Sequence, residues 1–282
     1  MKSKGQIIAL IVLLSIVALL LISFLVFSLT NNFNFIKNIT LFSFKSSNVI
    51  FDQRYETEDI NFLDIIQDAG DIVIKKAESD YFQVILYGDD ESGLSVETIG
   101  GTLKINNTRR RKFTLFNFGN VKNDIIVYIP SNYAGNINIK SDYGNIEVLD
   151  LENASLNIDS DAGDINLGKI NNIDIKCDYG NIEIKEVLNR CNIKADCGNV
   201  KIEKAIIYED SSINVDLGNV DISEINDIYI DANVDLGKTN LSSNNRSSNI
   251  SLKINCDLRK YNYRRITNEK RVLILALFIY IC

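Results

Sequence analysis

The sequence predicts an all-β fold: a parallel β-solenoid (β-helix-like) of about 19-residue coils, preceded by one N-terminal transmembrane helix. Three observations predict it. A motif Asp-x-Gly-Asn-Ile/Val recurs in tandem, the segments between copies alternate apolar and polar residues, and a long apolar run stands near the N-terminus.

The elements follow in chain order. Residues 1–5 carry Lys2 and Lys4 and are expected to be cytoplasmic. The segment 6–29 contains the apolar run Ile7 to Leu29, interrupted only by Ser15, Ser23 and Ser28. About 20 apolar residues suffice to cross a bilayer as a helix. Because no charge follows until Lys37, the positive-inside rule places what comes after Thr30 outside the cytoplasm. A cleaved signal peptide is the competing reading, but its apolar core would run roughly 7 to 15 residues and end at a small-residue site. Residues 30–54 read as a stalk or membrane-proximal segment.

From 55 to 130 strand signals persist, in Tyr81 to Leu86, Thr102 to Ile105 and Asp124 to Ile129, while their connections lengthen and vary. This stretch reads as irregular first coils or a capping sheet. From 131 to 258 the repeat is regular. Asp142-Tyr-Gly144-Asn-Ile146 returns at Asp161, Asp178, Asp196 and Asp216, with corner glycines Gly163, Gly180, Gly198 and Gly218, and decays at Asp235 and Gly237. These glycines follow one another at nearly even intervals. An outlying copy, Asp68-Ala-Gly70-Asp-Ile72, lies far upstream of Gly144, at a separation close to four coils.

A repeat this short cannot bury its apolar face alone. Stacked coils would put Ile146, Ile165, Ile182, Val200 and Val220 in one interior column at about 4.8 Å spacing. Gly followed by Asn suits a sharp corner, because both tolerate positive φ. The tail 259–282 is basic, nearly free of acids and closes on an apolar stretch, and Arg259 stands where the repeat predicts glycine. It reads as a cap on the last coil, a membrane or partner contact, or the product of a shifted reading frame.

The order of these parts resembles the DUF4097 adhesin-like family of bacterial envelope proteins. The parts are the N-terminal anchor, the first Gly70-Asp71-Ile72 copy, a variable middle ending in Ile-Val-Tyr-Ile-Pro130, and the run of Gly-Asn/Asp-Ile units. The resemblance covers about Asp59 to Leu258. It implies a β-solenoid in a cell-surface setting and no catalytic residues, and the tail after Leu258 departs from it.

Composition narrows the chemistry. The chain has no His, which removes the commonest general base and metal ligand. No Ser/His, Cys/His, phosphate-loop or zinc spacing is present. Its five cysteines are expected to act as small buried hydrophobes, although an oxidising exterior would permit a pair. Between Thr30 and Leu258 acidic residues clearly outnumber basic ones, which disfavours nucleic acid as a partner.

Stacking would place Asp142, Asp161, Asp178, Asp196 and Asp216 in a column whose mutual repulsion needs an offset. Asx-turn hydrogen bonds to the backbone are the first reading, and Ca²⁺ held between coils is the sharper one. The outward column Glu147, Asn166, Glu183, Lys201 and Asp221 is mixed and shows no clustered basic partner, so a polysaccharide-cleaving β-helix is disfavoured. Arg109, Arg110, Arg111 and Lys112 form the densest basic run of the middle region and are candidates for contact with an anionic surface.

The expected role is a non-catalytic, single-pass cell-membrane protein that needs no cofactor. It would bind or brace an unidentified envelope protein or polymer. A regulatory partnership with an envelope-stress sensor is the alternative.

Overall fold

The computed structural model describes residues 48–56, 60–77, 80–88, 93–108, 123–234 and 244–256. The anchor, the basic run Arg109 to Lys112, the motif copy at Asp235 and Gly237, and the tail 259–282 lie outside these residues. Among the described residues no helix is long and apolar enough to cross a membrane.

The described residues are all-β. The variable half of the chain supplies β1 (Val49–Glu56), β2 (Phe62–Ala69), β3 (Ile72–Ala77), β4 (Tyr81–Tyr87), β5 (Leu94–Ile99), β6 (Thr102–Asn107) and β7 (Asp124–Pro130). The repeats supply β8 (Asn136–Tyr143), β9 (Ile146–Val148), β10 (Leu151–Ala162), β11 (Ile165–Tyr179), β12 (Ile182–Cys197), β13 (Val200–Ala205), β14 (Ser211–Leu217), β15 (Val220–Ile225), β16 (Tyr229–Val234) and β17 (Ser251–Cys256). All of them belong to one hydrogen-bonded sheet.

Successive repeats pair in parallel and in register. On the first face β2, β8, β10, β11, β12 and β14 follow one another, so that Ile65, Ile139, Ile158, Ile175, Ile193 and Ile213 form one buried column. On the second face Ile125, Ile72, Ile146, Ile165, Ile182, Val200 and Val220 form another, none more than 1% exposed. Each strand alternates because its side chains point to opposite faces, and β-branched residues fit the pleated inner surface.

The upstream copy at Gly70 is not four coils away. β2 and β3 pair directly with β8 and β9, so Ile72 stacks on Ile146 with the whole variable stretch of sequence between them. The intervening chain builds outward from that rung. β6 and β7 pair in parallel with β2 and β3, while β5, β4 and β1 add antiparallel edges. The distal end is also out of order: β17 inserts between β14 and β16, with Ile213, Ile254 and Ala232 side by side.

The glycine corners need glycine for two reasons. Gly70, Gly144, Gly163, Gly180 and Gly198 carry φ between 126° and 154°. In addition, a Cβ on each of Gly144, Gly163, Gly180, Gly198 and Gly218 would lie within 2.0 Å of the preceding corner glycine's carbonyl oxygen. The residue after glycine has a different task from the conformational one its type suggested. The amide N–H groups of Asn145, Asp164, Asn181, Asn199 and Asn219 each donate to the side-chain oxygen of the equivalent residue one rung back, at 2.9 to 3.1 Å. The Asn181, Asn199 and Asn219 side-chain amides repeat the contact, giving an asparagine ladder along the corner.

Cys177 and Cys191 are buried free thiols, Cys256 is buried as well, and Cys197 is disulfide-bonded. Cys177 takes the inner position held by Ser160 and Ala195 in the flanking rungs. Burial pushes its thiol up to about 11, helped by nearby Asp178.

Candidate functional site

A groove of about 670 Å³ lies on the outer surface of the first face. Two outward columns make its floor. One runs Thr102, Phe62, Asn136, Ser155, Asn172 and Arg190, each in register with the next across β6, β2, β8, β10, β11 and β12. The other, further along the same strands, runs Asp64, Asn138, Asn157 and Asp174. Inner residues between them, such as Leu63 and Ile137, belong to the core and fix the outward direction of these polar side chains.

Side chains across rungs hold one another. Asn138 donates to Asp64 at 2.8 Å, Asn157 to Asn138 at 2.7 Å, and Asn172 to the Ser155 hydroxyl at 3.0 Å. Asn189 continues the series, donating to Asn172 at 2.9 Å. A side-chain amide has two donors and an acceptor with two lone pairs. Asn138 therefore spends one of each on its neighbours and keeps the remainder for the groove. Phe62 presents a ring that is 49% exposed. Arg190 is half-buried, makes no ion pair among the described residues, and has an Nε that is buried without a hydrogen-bond partner.

A second groove of about 400 Å³ lies on the other face, over Glu147, Asn166, Glu183 and Lys201. These are the outward residues read from the sequence, and register places them in one column with Asp221. Its charges include Lys185, which reaches Asp150 at 3.9 Å. Beside it, Glu186 lies between Lys169 at 3.4 Å and Lys204, and these ionic hydrogen bonds, Lys204 first, hold its carboxyl below its ordinary value despite burial. Register extends this into an alternating line Lys169, Glu186, Lys204 and Glu224. Ion pairs thus tie part of this face together, whereas Arg190 in the first groove forms none among the described residues.

The aspartates of the motif sit on the strand just before each glycine corner. Asp178 is met by Lys176 at 3.2 Å and Asp196 by Lys194 at 3.1 Å, and Lys176 also reaches Asp159 at 3.3 Å. Lysines just before these aspartates on the same outward face thus oppose the repulsion expected of an acidic column. Both lysines titrate above their ordinary value for this reason. Among the described residues no group of three or more His, Cys, Asp or Glu is gathered to hold a metal ion.

Sequence reading missed Phe62 and Arg190. The available signal was irregular spacing: the β11–β12 pairing shifts register between Ile170 and Asn172, where β12 carries one extra residue before Arg190. That bulge brings a long cation into a column otherwise held by Asn136, Ser155 and Asn172.

Residues 60–262 match the family described as Toastrack DUF4097, and the chain belongs to it. No curated protein matches the chain in sequence. Similar solved structures include a candidate cell adhesion protein from Clostridium sporogenes, at 11% identity and TM-score 0.35, covering 74% of this chain and 95% of that one. A candidate adhesin from Bacteroides fragilis has 14% identity and TM-score 0.33, covering 77% and 97%. A candidate lipid-binding protein from Parabacteroides distasonis has 15% identity and TM-score 0.34, covering 76% and 98%.

Proposed function

We propose that this chain is a non-catalytic, single-pass envelope protein whose stacked repeats form an adhesin-like β-solenoid, held at the cell membrane and used to bind an external partner. The observation that carries the reading is the polar groove on the first face. It crosses β6, β2, β8, β10, β11 and β12, its amides retain hydrogen-bonding capacity beyond their contacts with one another, and Arg190 lines it without an ion pair among the described residues. Family membership and the apolar run Ile7 to Leu29 support the setting.

Two measurements test it together. Protease added to intact cells is expected to degrade the β domain while sparing the N-terminus, and full-length protein in detergent is expected to co-sediment with isolated envelopes. A protected β domain, or no retention on envelopes, would overturn the proposal, as would hydrolase or lyase activity on envelope polysaccharide. Crosslinking in whole cells separates the two binding roles. Membrane-protein neighbours would favour the regulatory partnership, and wall or surface polymer the adhesive one.

A further inference from the structure

Resting on that binding role, we infer that the first-face groove takes a neutral, hydroxyl-rich chain, a polysaccharide lying across the strands, with Phe62 and Arg190 as its two main contacts. Three observations lead there.

The groove is long and shallow rather than deep. It traverses β6, β2, β8, β10, β11 and β12, inter-strand steps of about 4.8 Å each that sum to roughly 24 Å. A compact metabolite would fill only part of it. A linear polymer whose units are comparable in length with one rung would meet similar polar groups at each step.

Its chemistry is planar and bifunctional. Asn138, Asn157 and Asn172 offer donors and acceptors from the same amide, which suits hydroxyl groups that must both give and receive a hydrogen bond. Arg190 adds a rigid fork of donors able to engage two adjacent hydroxyl oxygens at once. Toward the other end of the same column, next to Thr102, the half-exposed Phe62 ring offers an apolar platform for the C–H face of a sugar ring.

Charge selects against an acidic polymer. The chain carries a formal net charge of −7, and the groove floor holds Asp64 and Asp174 against Arg190, with Lys104 beside Asp64 at 4.0 Å. An anionic chain would meet no net positive field along the groove, while a neutral one needs none.

The test uses the full-length chain in detergent and three neutral soluble polysaccharides, dextran, laminarin and galactomannan, with polygalacturonate as the acidic counterpart. Binding is read by affinity electrophoresis and calorimetry. At least one neutral polymer should bind, with affinity nearly unchanged between low and moderate salt. Arg190→Ala and Phe62→Ala should each weaken it about tenfold or more, and Arg190→Lys should restore only part of the loss. Arg246→Ala, on an exposed turn away from the groove, should have no effect. Unchanged circular dichroism and melting would establish that the groove variants fold.

Tighter, salt-sensitive binding of polygalacturonate would overturn the inference, as would failure of all three neutral polymers. So would undiminished binding by both groove variants. If wild-type protein and both variants are retained equally on isolated envelopes, the groove assignment fails while the envelope role stands. If none is retained, the envelope role itself fails.

Discussion

Replacing Gly180 with alanine tests the central feature of the stack. The new Cβ would lie 2.0 Å from the Gly163 carbonyl oxygen and 2.7 Å from its carbon, both backbone atoms that cannot rotate away. Real Cβ atoms stay beyond 3.0 Å, so the rungs must part locally by about 1 Å. The hydrogen bonds that oppose this are Gly163 N–H to Tyr179 O at 2.9 Å and Ile165 N–H to Asn181 O at 2.8 Å. Losing or stretching both costs about 1 to 3 kcal/mol in total. Holding alanine at φ 154° adds about 1 to 3 kcal/mol of backbone strain. The expected loss is therefore about 2 to 6 kcal/mol, a large share of the ~5 to 15 kcal/mol that stabilises a typical domain. Gly100→Ala is the matched control. Its φ is 56°, but nothing lies within 4 Å of the added carbon, so it should lose only about 1 to 2 kcal/mol. Urea unfolding of the full-length proteins, followed by circular dichroism, gives both values. If Gly180→Ala loses no more than Gly100→Ala, close approach between glycine corners does not restrict the repeat.

Three further outcomes are expected. Asn199→Ala removes the acceptor for the Asn219 N–H and side-chain amide and should destabilise by about 1 to 2 kcal/mol in the same unfolding assay, whereas Asn199→Asp, which keeps the acceptor, should lose less. Glu186→Gln should destabilise by about 1 to 2 kcal/mol at neutral pH, because Lys169 and Lys204 lose their shared partner. The folded-state value of Glu186 is depressed below 4.5, so this contribution is complete above the unfolded carboxylate range and disappears as pH falls through the folded value. Wild type and variant should accordingly converge in urea midpoints measured at progressively lower pH. The buried thiols of Cys177 and Cys191, both raised by burial, should resist Ellman's reagent at mildly alkaline pH in the native protein and react on unfolding.

The repeat was legible in the sequence because every rung needs its own glycine, its own inner Ile or Val, and a polar residue at the next outward position. Those demands recur with the coil and so appear as spacing. The order of rungs at the two ends was not legible. Parallel strands offer the same backbone donors and acceptors to any neighbour, so nothing in Gly70 or Ile72 states that Ile146 lies beside it. The corner asparagines were read as turn formers because their type tolerates positive φ. Their side chains serve the neighbouring rung instead, a role that exists only once coils are stacked. Arg190 was missed because a one-residue bulge moves it out of simple periodicity and into the groove column.

The pairing of β2 and β3 with β8 and β9 has a consequence for how the molecule assembles. Strands β2 and β3, made well before β8 and β9, have one set of neighbours far along the chain, and the last described strand enters between two that precede it. Closing such loops costs entropy before any contact rewards it. The regular repeats β8 to β13 can zip locally, one repeat on the next, and the two ends must then dock onto that seed. A chain that looks like a linear tandem array should therefore fold from its middle outward, with both ends closed by strands arriving out of turn.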